Sequence, residues 1–263
     1  MKHDFTLVLG VDRKTLEQLK LTLPTWIKHK PELFDRGVLV FRDRAQVSRL
    51  EVCSLIETAT SHYRVVDWDY PIEHYPGKGL SKWDNPQREK MLSGFVHIPA
   101  KFVHTPYWMK LDTDVVAHPY EDPNWISPDW FLDFPSIIAP SWGYTKPADQ
   151  MQKLDQWAEH NSIPWMKEPL LNLVPKPEDT RINHHRICSW GAFFNTPDTA
   201  IFSSAAERSC GKGRLPVYSQ DGFMFYCAKR AGRTIRTIPM KQFGWDVCGS
   251  LRRILQSVER SQA

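Results

Sequence analysis

The chain has 263 residues, enough for one α/β domain with insertions or at most two small domains, and its 41% hydrophobic and 24% charged residues exclude a disordered chain. Thirty-four Lys and Arg against 30 Asp and Glu leave a net charge of +4 with the signs mixed along the chain, which argues against a dedicated nucleic-acid binder and suits an anionic small molecule. Cys53, Cys188, Cys210, Cys227 and Cys248 include no C-x-x-C pair, which argues against a zinc knuckle, and no apolar run approaches the about 18 residues of a membrane span.

Phe5-Thr6-Leu7-Val8-Leu9-Gly10-Val11 reads as a buried strand, followed by a turn at Gly10 and Asp12. Thr15 with Gln18 matches a capping box, and Leu16, Leu19 and Leu23 continue at helical spacing until Pro24, where the helix is expected to end or kink. Gly37 to Phe41 is a second strand leading to Arg42-Asp43, residues 45–59 read as helix, and Tyr63 to Val66 is a third strand ending at Asp67. Strands alternating with helices predict a parallel sheet covered on its faces.

Residues 70–86 hold Pro71, Pro76, Gly77, Gly79 and Pro86 and read as a loop. Asn85 and Pro86 open a helix with Met91, Leu92, Phe95 and Val96 on its apolar side, expected to stop near Pro99. Tyr107 to Leu111 is a fourth strand that runs into Asp112-Thr113-Asp114. Residues 136–142 read as strand, 148–160 as helix, and the Pro-rich stretch 161–186 as a long loop. Ile187 to Asn195 reads as strand, Thr196-Pro197 opens a helix to about Arg208, and Ser219 caps a last helix to about Arg230, closed by Gly232. Residues 1–117 are expected to form a nucleotide-binding half, 118–250 an acceptor half, and 251–263 a tail. Reduced thiols point to a cytoplasmic protein, and the mild positive charge permits peripheral membrane association.

Asp112 and Asp114 place two hard-oxygen ligands at the carboxyl end of a strand, where open α/β sheets bind ligands and where Mn²⁺ or Mg²⁺ would bridge phosphates. The spacing alone is weak evidence, because Asp67-Trp68-Asp69 repeats it after the third strand. The first pair is preferred because Val115-Val116 continues it as apolar chain. Gly10, Val11 and Asp12 end the first strand, Asp43 ends the second, and Arg88 and Lys90 precede the acidic pair. These residues and Thr113 are candidate contacts to a nucleotide and its diphosphate. Gly191 and Ala192 remove side-chain bulk, and Trp142 and Trp190 offer rings to a sugar. Asp221, in Ser219-Gln220-Asp221-Gly222, is either a first-turn acid favoured by the helix dipole or a general base. His184-His185 reads as a surface pair or, from its polar loop, as a contact to metal or acceptor.

The order of these features resembles the GT-A nucleotide-sugar glycosyltransferases over roughly residues 5–245: strand, Asp12, strand with Asp43, Leu-Asp-Thr-Asp, Trp-Gly-Ala-Phe, and Gln-Asp at a helix start. The resemblance implies a Rossmann-like α/β/α sandwich with a mostly parallel sheet and a hexosyltransferase-like activity. Donor and acceptor would be a nucleotide-diphosphate sugar and a hydroxyl on a glycan, lipid or protein. It implies metal binding by Asp112 and Asp114, sugar or acceptor contacts by Trp142, Trp190, Gly191 and Ala192, and an inverting base at Asp221. Two departures stand out. The usual acidic pair is Gln220-Asp221, and no histidine follows His185 to act as a late metal ligand. A sugar nucleotidyltransferase would carry a Gly-rich basic loop after the first strand, where Gly10-Val11-Asp12-Arg13-Lys14 is short. A carbohydrate-binding protein on the same fold is the other alternative.

Overall fold

The computed structural model describes residues 4–69, 86–117, 119, 125–145, 156, 160, 185–187, 191–209, 224, 225, 227, 228, 231–238, 244–246 and 251–262. Strand β1 (Phe5–Val11) is a nearly continuous apolar run, as expected of a strand covered on both faces. It pairs in parallel with β2 (Val38–Arg42) on one side and with β4 (Tyr107–Leu111) on the other, and β2 pairs in parallel with β3 (Tyr63–Asp67). Beyond β4 the direction reverses. β8 (Gly191–Asn195) runs antiparallel to β4, and β6 (Ile137–Thr145) antiparallel to β8. The order is β3-β2-β1-β4-β8-β6-β7, with β7 at His185–Ile187 and β9 (Ile235–Ile238) lying parallel on β6. The short β5 (Val115–Ala117) leaves this sheet and pairs antiparallel with β10 (Gly244–Asp246).

Alternation along the strands splits the core into two layers. Leu7, Leu9 and Val11 face helix α1 (Arg13–His29) and helix α2 (Arg49–Ile56), meeting Leu16, Leu19, Leu23, Trp26, Val52 and Ile56. Val8, Leu39 and Phe41 face helix α3 (Pro86–Phe102) and helix α4 (Thr196–Ser209), meeting Phe95, Val96, Ile98, Phe202 and Ala205. The result is the expected three-layer α/β/α sandwich. One close approach is exacting. A β-carbon on Gly10 would lie 2.5 Å from the Phe41 ring, and one on Gly94 of α3 would overlap the same ring, so Phe41 fits only because both neighbours lack a side chain.

Several expectations change in detail. The capping box of α1 lies three residues earlier than Thr15 and Gln18 suggest. Asp12 is the N-cap, its Oδ1 accepting from the Thr15 amide, and the Thr15 hydroxyl receives the Asp12 amide. Pro24 does not end α1, nor Pro99 α3. Each proline removes one donor from its helix, but Leu19, Leu23 and Trp26, or Phe95, Val96 and Ile98, bury enough apolar surface to hold the chain helical. The segment from Ile187 to Asn195 divides into β7 and β8. Gly232 takes a positive φ of 69°, and residues 224, 225, 227 and 228 are helical, as expected of a helix stop. Residues read as a tail contain helix α5 (Leu251–Gln262), which packs on α1 and β5, with Ile254 against Val116 and flanked by Leu21 and Val258. The helix expected at 148–160 lies outside the described residues except at 156 and 160, and most of the loop at 161–186 also lies outside them. Among the described residues, no helix is long and apolar enough to cross a membrane.

Candidate active site

Because β1 to β4 are parallel, their carboxyl ends share one edge of the sheet, with Val11, Arg42 and Asp67 in register across it. Asp67 ends β3, and Asp12, Asp43, Asp69, Asp112 and Asp114 follow strands along this edge. Their surroundings separate them.

Asp67 and Asp69 are each paired with an arginine. Arg42 Nη2 lies 2.8 Å from Asp67 Oδ1, and Arg44 Nε lies 3.0 Å from Asp69 Oδ1. Asp12 Oδ1 is engaged in the α1 cap, accepting from both the amide and the hydroxyl of Thr15. Asp43 is almost fully buried. Its Oδ1 accepts from the Ala45 amide and its Oδ2 from Gln46 Nε2, which folds the turn before α2. Gly10 makes room for Phe41, and the Val11 side chain belongs to the core while its carbonyl accepts from the Asp43 amide at 2.9 Å.

The turn at Asp112 to Asp114 is built differently. Asp112 Oδ1 meets Lys110 Nζ at 2.7 Å; the lysine side chain is 1% exposed and that of Asp112 34%. Lys110 sits on the α3 side of β4 with its ammonium 4.9 Å from the centre of the Phe95 ring. Asp114 is half-buried. Thr113 turns inward, and its hydroxyl donates to Gln18 Oε1 at 2.9 Å, so its side chain braces the turn. Its carbonyl accepts from Thr22 Oγ1 at 2.8 Å. One residue further, Trp26 Nε1 donates to the Val115 carbonyl at 2.8 Å, and Thr25 Oγ1 accepts from the Ala117 amide at 3.0 Å.

Gln18, Thr22, Thr25 and Trp26 recur at i, i+4, i+7 and i+8, one face of α1, and all four are buried. This brace was missed in the sequence. Its signal was three polar residues at helical spacing among leucines, which reads equally well as a solvated edge of the helix.

Across β4, Leu111 is in register with Gly191 and Lys110 with Ala192, so the two small residues lie buried on the strand next to the one that carries the acidic turn. Trp190, Asp221 and His184 lie outside the described residues, as do the side chains of Arg88, Lys90, Trp142 and His185. Asp112 and Asp114 supply hard oxygen donors of the kind a divalent ion with retained water and phosphate ligands accepts. Among the described residues, no group of three or more His, Cys, Asp or Glu gathers at one place.

No protein-family model matches the sequence, and no curated protein is similar to it in sequence. The fold has clear counterparts among solved structures. Mouse xyloside xylosyltransferase 1 is superimposable with a TM-score of 0.54 at 11% identity, over 89% of this chain and 85% of that one. Core-mannan synthase A from Aspergillus fumigatus, in its Mn/GDP form, gives a TM-score of 0.56 at 10% identity, over 92% of this chain and 74% of that one. The 4-diphosphocytidyl-2C-methyl-D-erythritol synthase of Anaerococcus prevotii gives 0.54 at 10% identity over 99% of both chains. The chain therefore has a GT-A-type fold, the α/β arrangement of the nucleotide-sugar glycosyltransferases, and its solved counterparts are mostly glycosyltransferases.

Proposed function

We propose that this protein transfers a sugar from a nucleotide-diphosphate donor to an acceptor hydroxyl, with the donor lying across the carboxyl ends of β1 to β4. The observation that carries the reading is the turn that Asp112 and Asp114 occupy. Asp67, Asp69 and Asp112 all have a cationic partner, but Asp112 and Asp114 sit on a turn braced from α1 beside the small residues of β8. Asp112 and Asp114 would hold Mn²⁺ or Mg²⁺, which supplies charge neutralisation for the departing diphosphate. Gly191 and Ala192 let the donor sugar approach the backbone, and Trp142 and Trp190 flank it. Asp221 takes the proton from the acceptor hydroxyl as that oxygen attacks the anomeric carbon from the face opposite the leaving group, inverting the centre. Arg88 and Lys90 meet the diphosphate. The xyloside xylosyltransferase and the core-mannan synthase among the counterparts, the latter with Mn and GDP, support this class of donor.

The full-length match to a cytidylyl-transferring synthase favours a second reading, nucleotidyl transfer. Against it, β1 ends at Val11 and α1 begins at Arg13, leaving Asp12 alone between them and no room for a Gly-rich activation loop.

Calorimetry with Mn²⁺ and a panel of nucleoside diphosphates tests the proposal. Asp114→Asn is expected to abolish the metal-dependent affinity; unchanged affinity would sink the metal assignment. Asp221→Asn is expected to keep donor binding and lose transfer, and full residual transfer would remove it as the base. Release of nucleoside diphosphate from a donor sugar separates an enzyme from a carbohydrate-binding protein of the same fold.

A further inference from the structure

Resting on the reading just given, we infer that Lys110 is a positioning residue that compensates Asp112, so that the divalent ion is taken up together with the nucleotide diphosphate and not ahead of it. An ammonium buried to 1% exposure on a central strand needs a charged or polar partner, because desolvating a lone cation costs several kcal/mol. Asp112 Oδ1 at 2.7 Å supplies that partner, and the Phe95 face adds a cation–π contact. Lys110 lies in the last pleat of β4 and Asp112 just beyond its end, two residues on, and their side chains meet on the α3 side of the sheet.

The consequence concerns what an arriving cation meets. One oxygen of Asp112 is already held, and the carboxylate's charge is already answered by a cation that cannot leave for water without breaking the core. A bare Mn²⁺ would approach a positive charge at close range, which an intervening protein medium screens weakly. A diphosphate brings its own negative oxygens, and these are attracted by the same ammonium. Lys110 therefore opposes metal alone and favours metal with diphosphate. Because coupling is reciprocal, the nucleotide gains from the metal by the same factor as the metal from the nucleotide.

The test is Mn²⁺ titration of the full chain, followed by calorimetry or the Mn²⁺ electron-spin resonance signal, first with Mn²⁺ alone and then with UDP, GDP, CDP or ADP present. Lys110→Met, which keeps the length and apolar stem, is expected to bind Mn²⁺ alone about tenfold tighter or better and to show less synergy with the nucleotide. A lysine that only fills space would leave both quantities unchanged. Lys110→Gln, which removes the charge and keeps a polar end for Asp112, serves if Lys110→Met does not fold, and is expected to shift both quantities in the same direction. An unchanged nucleotide-free affinity in whichever of the two variants folds overturns the inference. If the parent protein binds no Mn²⁺ with any of the four nucleotides, the proposed function falls and the inference with it. If the parent binds and Lys110→Met behaves identically, only the inference falls.

Discussion

The hydroxyl of Thr22 donates to the carbonyl oxygen of Thr113 at 2.8 Å, tying the middle of α1 to the turn between Asp112 and Asp114. Both residues are buried, so the carbonyl has no water to replace the lost donor. Thr22→Val keeps the shape and removes the hydroxyl. It is expected to lower stability by about 1–3 kcal/mol in urea denaturation and to weaken Mn²⁺-dependent nucleotide binding. Retained stability would show that the brace carries no energy.

The Phe41 ring fills the space left by Gly10 and Gly94. In an open helix, Gly94→Ala would stabilise by up to about 1 kcal/mol. Here the added methyl meets the ring, and a net loss of about 1–3 kcal/mol is expected. Phe41→Leu combined with Gly94→Ala should recover part of that loss, giving a favourable coupling in a double-mutant cycle. Additive single effects would contradict the packing described.

His97 lies in α3, with Nδ1 2.9 Å from the Ser203 hydroxyl and its ring stacked on Trp68. Burial pushes its imidazole down from 6.5 to about 4. Between these values the unfolded chain binds a proton that the folded chain does not, so stability rises with pH across this window and is fully present above 6.5. The histidine's share is at most about 3 kcal/mol. His97→Gln should remove this pH dependence from the variant, so that the wild-type-minus-variant difference in stability rises between pH 4 and 6.5; a difference that does not vary with pH would contradict the burial effect.

Ile254 is fully buried where α5 covers Val116, two residues beyond Asp114. Ile254→Ala should cost about 2–4 kcal/mol and loosen the β5–β10 pairing, seen as faster amide exchange at Val115 to Ala117. Protection equal to the parent's would show that α5 does not support the acidic turn.

Much of the framework was legible because its signals are local. Phe5 to Val11 and Tyr107 to Leu111 are apolar runs of strand length, and both emerged as central strands at those bounds. The prolines misled, since burial along the flanking turns outweighs one missing donor. β9, β10 and α5 went unread because their stability comes from distant partners: Ile235 from Ile137, Trp245 from Val116, Ile254 from Val116. At the candidate site, the acidic pair was legible, and the preference between the two D-x-D segments rested on strand order and on the apolar Val115-Val116 that follows Asp114. The cationic partners, Arg42 and Arg44 on one pair and Lys110 on the other, depend on strand register and side-chain direction, which spacing does not reveal.

The pairing of Val115 with Asp246 has a consequence for the growing chain. Nascent protein can assemble β1, β2, β3 and β4 with α1 early, while β5 waits without its neighbour for more than a hundred further residues. A chain halted before Gly244 would present these strands with the acidic turn fastened on one side only. The turn on which the proposed chemistry depends therefore becomes rigid well after the sheet edge that carries it.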